Sequence, residues 1–376
     1  MRKILFLLPV IFQFALAQEA EVTNVTAAQR TDGSKMVDIT YDITEDSLFT
    51  AFNVSVEVSF DGGATYTQTN YVDGDVGVNI SSGTGRQITW FLGSEYPEIF
   101  FEDVKVKVIA NGYIAGELPF EMVTIPAGEF TFGEGDIIMT IDYDYEMMKY
   151  EVTNAQYIEF LIEAYESGDV WISGGVEGFY PGDEHYPGGN YDLYNLGEPS
   201  GSDNYGKINW NGTTFIVTEG YGDHPVVYVS WFGAWKFAEH YGLRLPTEHE
   251  WEKAARGNTG YNYPWGDDID GSRANYHNSG DPWDNGTTPV GFYNGQNYEG
   301  FQTTDSPSQF GAYDMAGNVW EWTDSWLDEN SSNRVLRGGS WTYSTSYCLS
   351  WDRGSYGGPY NSHYYIGFRL VRTISE

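Results

Sequence analysis

Two carboxylates and one thiol are the side chains with most chemistry to offer in the last part of this 376-residue chain. Asp314 and Glu321 lie in the run DMAGNVWEWTDSWLDENSSNRVLRGGSW, residues 314–341. The run has neither strand nor helix periodicity. Gly317, Gly338 and Gly339 sit among Trp320, Trp322, Trp326 and Trp341, so tight turns are filled in by rings. Two carboxylates on such an irregular backbone suit a hard, oxygen-seeking dication. Cys348 is the chain's one cysteine. No disulfide can close within one copy, and no pair of thiolates can be assembled there. His249 is a candidate base by residue type only. It opens a helix with no nucleophile near it in sequence, and solvent exposure is expected.

These groups belong to a very acidic chain, with a formal charge of -35 and a pI near 4.2. Such a surface repels nucleic-acid phosphates and anionic membranes, and favours divalent cations or saline surroundings. An aromatic content of 17% argues for a folded chain. Arg2 and Lys3 precede an apolar run from Ile4 to Phe12, and Ala15-Leu16-Ala17 has the form of a cleavage site. Residues 1–17 therefore read as a signal peptide, and the chain is expected to be secreted or periplasmic. The apolar stretch is too short for a transmembrane anchor.

The elements that must position the candidate residues fall into two units. Over residues 20–113, apolar and polar positions alternate at Val37–Ile43, Phe52–Phe60 and Val104–Val108, as in half-buried antiparallel strands. Asp61-Gly62-Gly63 gives a turn and Gly83–Gly85 a second break. An all-β sandwich of immunoglobulin or fibronectin-III type is expected, serving as a spacer or docking module. The second unit spans 118–373 and should be α+β. Thr153 and Gln156 form a capping box before a helix burying Tyr157, Phe160, Leu161 and Ala164. Ser230 caps a helix with Trp231, Ala234, Trp235 and Ala238 on one face. Thr247 and Glu250 form a second capping box, with Trp251, Ala254 and Ala255 inward. Residues 171–223, rich in Gly, Tyr, Asn and Asp, read as a long surface insertion whose rings stack on a ligand or pack onto the body.

The stretches PVVYVSWFGAWKFAEHYGLRLPTEHEWEKAARG, YPWGD, YDMAGNVWEWTDSW, RVLRGGSW and GFRLVR follow one another in this chain. In that order they resemble the formylglycine-generating enzyme (sulfatase-modifying factor) superfamily. The resemblance implies a C-type-lectin-like fold of few regular elements, with structural calcium. One family calcium is held by a side chain, two carbonyls and a glutamate, whose positions here are Asp314, Gly317, Val319 and Glu321. A second begins at Asn275 and the Tyr276 carbonyl, and the shortened loop after them puts Asp284 forward as a third donor.

The resemblance also implies what is missing. The authentic enzymes hold copper(I) with two cysteines after the GGS[WY] motif and oxidise a substrate cysteine to formylglycine. Here Cys348 falls on the second position, Tyr343 on the first, and Ser340 matches the family serine. A phenol does not replace a thiolate on copper(I), so copper is not expected. The histidine grouping of the family's iron-dependent sulfoxide synthases is also absent. The expected function is a non-catalytic binding or assembly protein on a calcium-stabilised scaffold, presenting loops to a glycan or protein. The alternative is a formylglycine-generating-type oxidoreductase acting on a protein or small-molecule thiol.

Overall fold

The computed structural model describes residues 18–19, 21–44, 51–69, 72–95, 104–113, 118–135, 137–196, 205–283, 285–328, 331–355 and 358–374. Residues 1–17, expected from sequence to be a signal peptide, and Asp284 lie outside the described residues. The chain divides into two compact units, Met1–Glu117 and Leu118–Glu376.

The first unit is built from strand alternation. Strands Gln18–Glu19, Lys105–Tyr113, Ala51–Ser59 and Thr67–Thr69 line up in one sheet, with Gly77–Ile80 also beside Ala51–Ser59. Val22–Gln29, Val37–Ile43, Gly83–Trp90 and Val72–Gly74 form the other. Register sets like against like: Val56 faces Val108, and Ile39 faces Ile88. The inward residues Ile39, Tyr41, Val54, Val56, Ile88 and Trp90 share one core. Period-2 burial of this kind fixes the register, because a one-residue slip would expose the whole apolar set. Gly83–Gly85, expected from sequence to break the chain, instead lie inside strand Gly83–Trp90. The register against Val37–Ile43 shifts there, an irregularity that positive-φ glycines absorb. A four-residue helix, α1 (Leu92–Glu95), follows that strand.

The second unit is sheet-rich in small pieces, with three longer helices: α2 (Asn154–Ser167), α3 (Trp231–His240) and α4 (Glu248–Arg256). Both capping boxes form, at Thr153 with Gln156 and at Thr247 with Glu250, and Ser230 caps α3 through the Gly233 N–H. α2 and α3 bury their faces in one aromatic core, where Tyr157 stacks on Phe237 at 5.5 Å. Strand Trp320–Trp326 pairs antiparallel with Arg334–Arg337 and parallel with Ile366–Gly367. Trp320 and Trp322 are buried, and Trp322 Nε1 donates to the Val229 carbonyl at 3.1 Å.

Two sequence expectations need correction here. The 171–223 segment is not a structureless surface loop. Strands Val176–Tyr180 and Gly189–Tyr194 pair beside Val170–Ile172, and Ile208–Trp210 pairs with Phe215–Val217. Tyr180, Leu193, Tyr194 and Phe215 enter the main core, so these rings pack onto the body. His249 is half-buried rather than in solvent. Its ring stands 4.5 Å from Phe132, and burial lowers its basicity. In both cases apolar contacts from distant segments decide what local composition does not. No helix among the described residues is long and apolar enough to cross a membrane.

Candidate functional site

The turn Asp314–Glu321 is made by its backbone. Asp314, Gly317 and Asn318 all have positive φ (57°, 86° and 62°), and Asp, Asn and Gly tolerate that region best. A Cβ at Gly317 would collide with the Asn275 carbonyl, so only glycine fits there. The same carbonyl accepts the Asn318 N–H at 2.8 Å, which ties the Asn275 segment to the turn. The two groups of residues that the sequence put forward as separate sites are thus in direct contact.

The turn carries its carboxylates into the interior. Asp314, Glu321 and a third, Glu151, are buried together with Arg369. Arg369 forks onto Glu321 with two 2.8 Å bonds, and gives its other N–H groups to the carbonyls of Met148, Lys149 and Tyr313. Trp251 Nε1 also donates to Glu321, at 2.8 Å. Glu151 accepts Asn318 Nδ2 at 2.7 Å and the Val319 N–H at 3.3 Å. Asp314 accepts the Gly291 N–H at 2.6 Å.

Three carboxylates face one guanidinium, and their titration reflects it. Burial first, then the charges of Asp314 and Glu321, push the Glu151 carboxyl well up against the pull of Arg369. Burial and Glu321 push Asp314 up to about 6, although the Gly291 N–H and Arg369 oppose this. Burial weakens Arg369 as a cation, but Glu321, Glu151 and Asp314 outweigh it and hold the guanidinium charged. Sequence reasoning placed Asp314 and Glu321 but missed Glu151 and Arg369. The GFRLVR motif held the arginine, and no local pattern tied it to a glutamate 48 positions earlier.

The Asn275 region is held by turns. Asn275 Nδ2 donates to the Gly286 carbonyl at 2.9 Å, and the Tyr276 carbonyl accepts the Ser279 N–H at 2.9 Å. A buried carboxylate not anticipated from sequence, Asp281, accepts Ser279 Oγ at 2.7 Å and the Trp283 N–H at 2.8 Å. Asp281 and Asp314 both act on the Tyr293 phenol, which burial and their charges raise.

The Tyr343–Cys348 segment is of the opposite character. Cys348 is fully buried with Tyr263 and Ala316, against Trp265, Ile269, Tyr276 and Leu349. Burial and the Asp352 charge push its thiol up to about 12. A Cβ at Gly339 (φ 77°) would stand 2.8 Å from Cys348 Sγ, so the glycine makes room for the sulfur. Ser340 is buried, with its hydroxyl 3.1 Å from that of Thr342. Tyr343 packs toward Trp320, Tyr347 and Tyr365 and joins the main core instead of the Cys348 cluster.

Residues 116–374 match the sulfatase-modifying factor enzyme 1-like domain. The chain belongs to this family. The formylglycine-generating enzyme of Mus musculus is 30% identical over 313 residues, covering 70% of this chain and 78% of its own. The serine/threonine-protein kinase Pkn1 of Chlamydia trachomatis is 31% identical over 300 residues, 72% of this chain. The chain spans 40% of that protein's length and 38% of its Chlamydia pneumoniae counterpart. The inactive C-alpha-formylglycine-generating enzyme 2 of Bos taurus is 42% identical over 124 residues, 32% of this chain and 39% of its own.

The two metals that the family implies fare differently. A linear copper(I) site of two thiolates does not fit, because the chain has one cysteine and Tyr343 stands at the other position. A hard dication fits the charge at Asp314 and Glu321, where buried carboxylates outnumber the guanidinium. Among the described residues no three His, Cys, Asp or Glu side chains converge as a ready cation site. Both Glu321 oxygens are also engaged by Arg369. A cation here would lean on Asp314 and on the Gly317 and Val319 carbonyls, with Glu321 shared.

Proposed function

We propose that the protein is a non-catalytic binding or assembly module, exported from the cell, on a calcium-stabilised C-type-lectin-like scaffold. In this reading the first unit is an immunoglobulin- or fibronectin-III-like sandwich that acts as a spacer. The observation that carries the proposal is the state of Cys348. It is the chain's one thiol, fully buried and held protonated, with a phenol at the partner position. Thiolate, not thiol, is the nucleophile and the soft-metal ligand. The similarity to a relative named as inactive supports the same reading. The partner is a glycan or protein surface.

The test is mass spectrometry of a cysteine-containing sulfatase-type peptide incubated with the protein, copper(I) and oxygen. The expected result is an unmodified peptide. Conversion of its cysteine to the aldehyde, abolished by Cys348→Ser, would replace this reading with the oxidoreductase.

A further inference from the structure

The hairpin of strands Gly128–Phe132 and Ile137–Ile141 is closed along one edge and open along the other. On the closed edge Thr131 gives its N–H to the Gly257 carbonyl at 2.9 Å, and Gly133 gives its own to Glu252 at 2.7 Å, so the end of α4 covers it. In an antiparallel pair, a residue whose N–H points away from the partner strand faces one that also points away. Ile138 faces Thr131, and Thr140 lies two positions on. Both therefore turn N–H and C=O outward, and these groups have no partner among the described residues.

The open edge is also apolar. Ile137 and Ile138 are 61% and 60% exposed, the highest of the large apolar side chains among the described residues. Neighbours in a strand point to opposite faces, so the ribbon is bare on both faces at this end. The other end is anchored, with Phe130 and Ile141 buried in one cluster with Trp251 and Ala254 of α4. Ile137, Ile138, Thr140 and Ile141 are β-branched and suit a pleated surface. A single exposed isoleucine needs no explanation, but two in succession on a free edge offer a template to another strand.

Charge selects the strand that fits. The run GEGDIIMTIDYDYE, residues 133–146, has five carboxylates and no Lys or Arg. Glu146 is paired with Arg372 at 2.6 Å, whereas Glu134 and Asp142 are exposed and have no ion pair among the described residues. By sequence, Asp136 and Asp142 bracket the apolar five. A second copy pairing antiparallel about Met139 would set Asp136 against Asp142 twice, and like charges directly opposite destabilise. The same aspartates thus guard the edge against its own copies and favour a partner of opposite charge. Building on the binding or assembly reading above, we propose that strand Ile137–Ile141 docks an extended segment of a protein partner as a third strand. That segment is apolar and β-branched at its centre and basic at both ends, so the backbone supplies the bonds and the flanks supply the choice.

The experiment is fluorescence anisotropy of a labelled peptide, five alternating valines and threonines between paired lysines, titrated with the full chain. One comparator carries paired glutamates at its ends. The other replaces the central amides by esters, which keeps side chains and charge but deletes the donors. Saturable binding of the lysine-ended peptide is expected, with both comparators at least about ten-fold weaker. Thr140→Pro removes an outward N–H without touching a bond to Gly128–Phe132, and should weaken binding to a similar degree. So should Ile137→Thr with Ile138→Thr, without lowering the melting temperature, since both side chains are exposed. No saturable binding, equal binding of the ester peptide, or unchanged binding by the isoleucine double variant would each overturn the proposal. So would a dimer of the chain that Thr140→Pro abolishes, which would give the edge to a second copy. A failed titration beside an unmodified cysteine peptide sinks the strand site alone. An oxidised cysteine peptide sinks the non-catalytic reading whatever the titration shows.

Discussion

Asp314–Glu321 and Ser340–Cys348 are close in sequence and linked by backbone bonds, Gly317 N–H to the Gly338 carbonyl and Trp341 N–H to that of Asn318. Yet one is a knot of buried charge and the other a plug of rings around a protonated thiol. The difference lies in what each group would cost if left alone. A buried carboxylate without its partner is expensive, so Glu321 and Arg369 hold each other in place. A buried thiol behaves as a small hydrophobe and demands nothing. A scaffold can therefore keep its charged knot for folding alone, whereas the thiol segment is free to lose a metal ligand and fill the space with aromatic groups.

Breaking the charged knot should have the largest effect. Arg369→Ala leaves three buried carboxylates without a cation and five donor positions empty. A loss of about 3–5 kcal/mol is expected for stranding such charges, read as the denaturant midpoint of the full chain. Arg369→Lys should recover part of it, since an ammonium restores the charge without the fork. A loss under about 1 kcal/mol for the alanine variant would mean that the knot is not what holds this turn.

Calcium should sharpen the contrast next. A cation present at a hundred times its dissociation constant adds about 2.7 kcal/mol. Excess chelator should therefore lower the melting temperature of the second unit by several degrees, while leaving Cys348 untouched. The pH dependence follows from Asp314. Its folded value of about 6 lies above the unfolded value of about 3.9. The folded chain holds that proton more tightly, so the contribution is fully present below about pH 4 and is lost as pH rises through 6. Chelated protein should lose stability over that window, calcium should offset the loss, and Asp314→Asn should flatten it. A melting curve indifferent to chelator at pH 7.5 would remove the cation.

How much of this was legible in the sequence depends on the range of the interaction. The capping boxes at Thr153 and Thr247 are local, and so is the alternation of Val37–Ile43, and both were readable directly. Asp314 and Glu321 were readable because they share one turn. Glu151 was not, since its partner Asn318 lies 167 positions away. The rings of 171–223 showed no period because they pack individually onto distant segments, Phe215 on Tyr165 of α2, Tyr180 on Trp231 of α3 and Tyr186 on Trp326. The half-burial of His249 likewise comes from Phe132, on a strand far earlier in the chain.

The smallest expected effect belongs to Cys348. If the thiol is only a space-filling group, Cys348→Ala should cost about 1 kcal/mol, the loss of one buried heavy atom with little collapse around it. Cys348→Ser should cost more, about 1–3 kcal/mol, because a hydroxyl would enter a cluster of Tyr263, Ala316 and Leu349 needing a partner. Neither variant should alter the response to chelator, which arises from the other segment. Reactivity gives an independent reading. A thiol near 12 is about one part in ten thousand thiolate at pH 8. Iodoacetamide should then leave the folded chain unlabelled and modify one cysteine per chain in denaturant. Full labelling of the folded protein within minutes would mean that Cys348 is reachable and ionised. The contrast between the two segments would then collapse, because both would carry working chemistry.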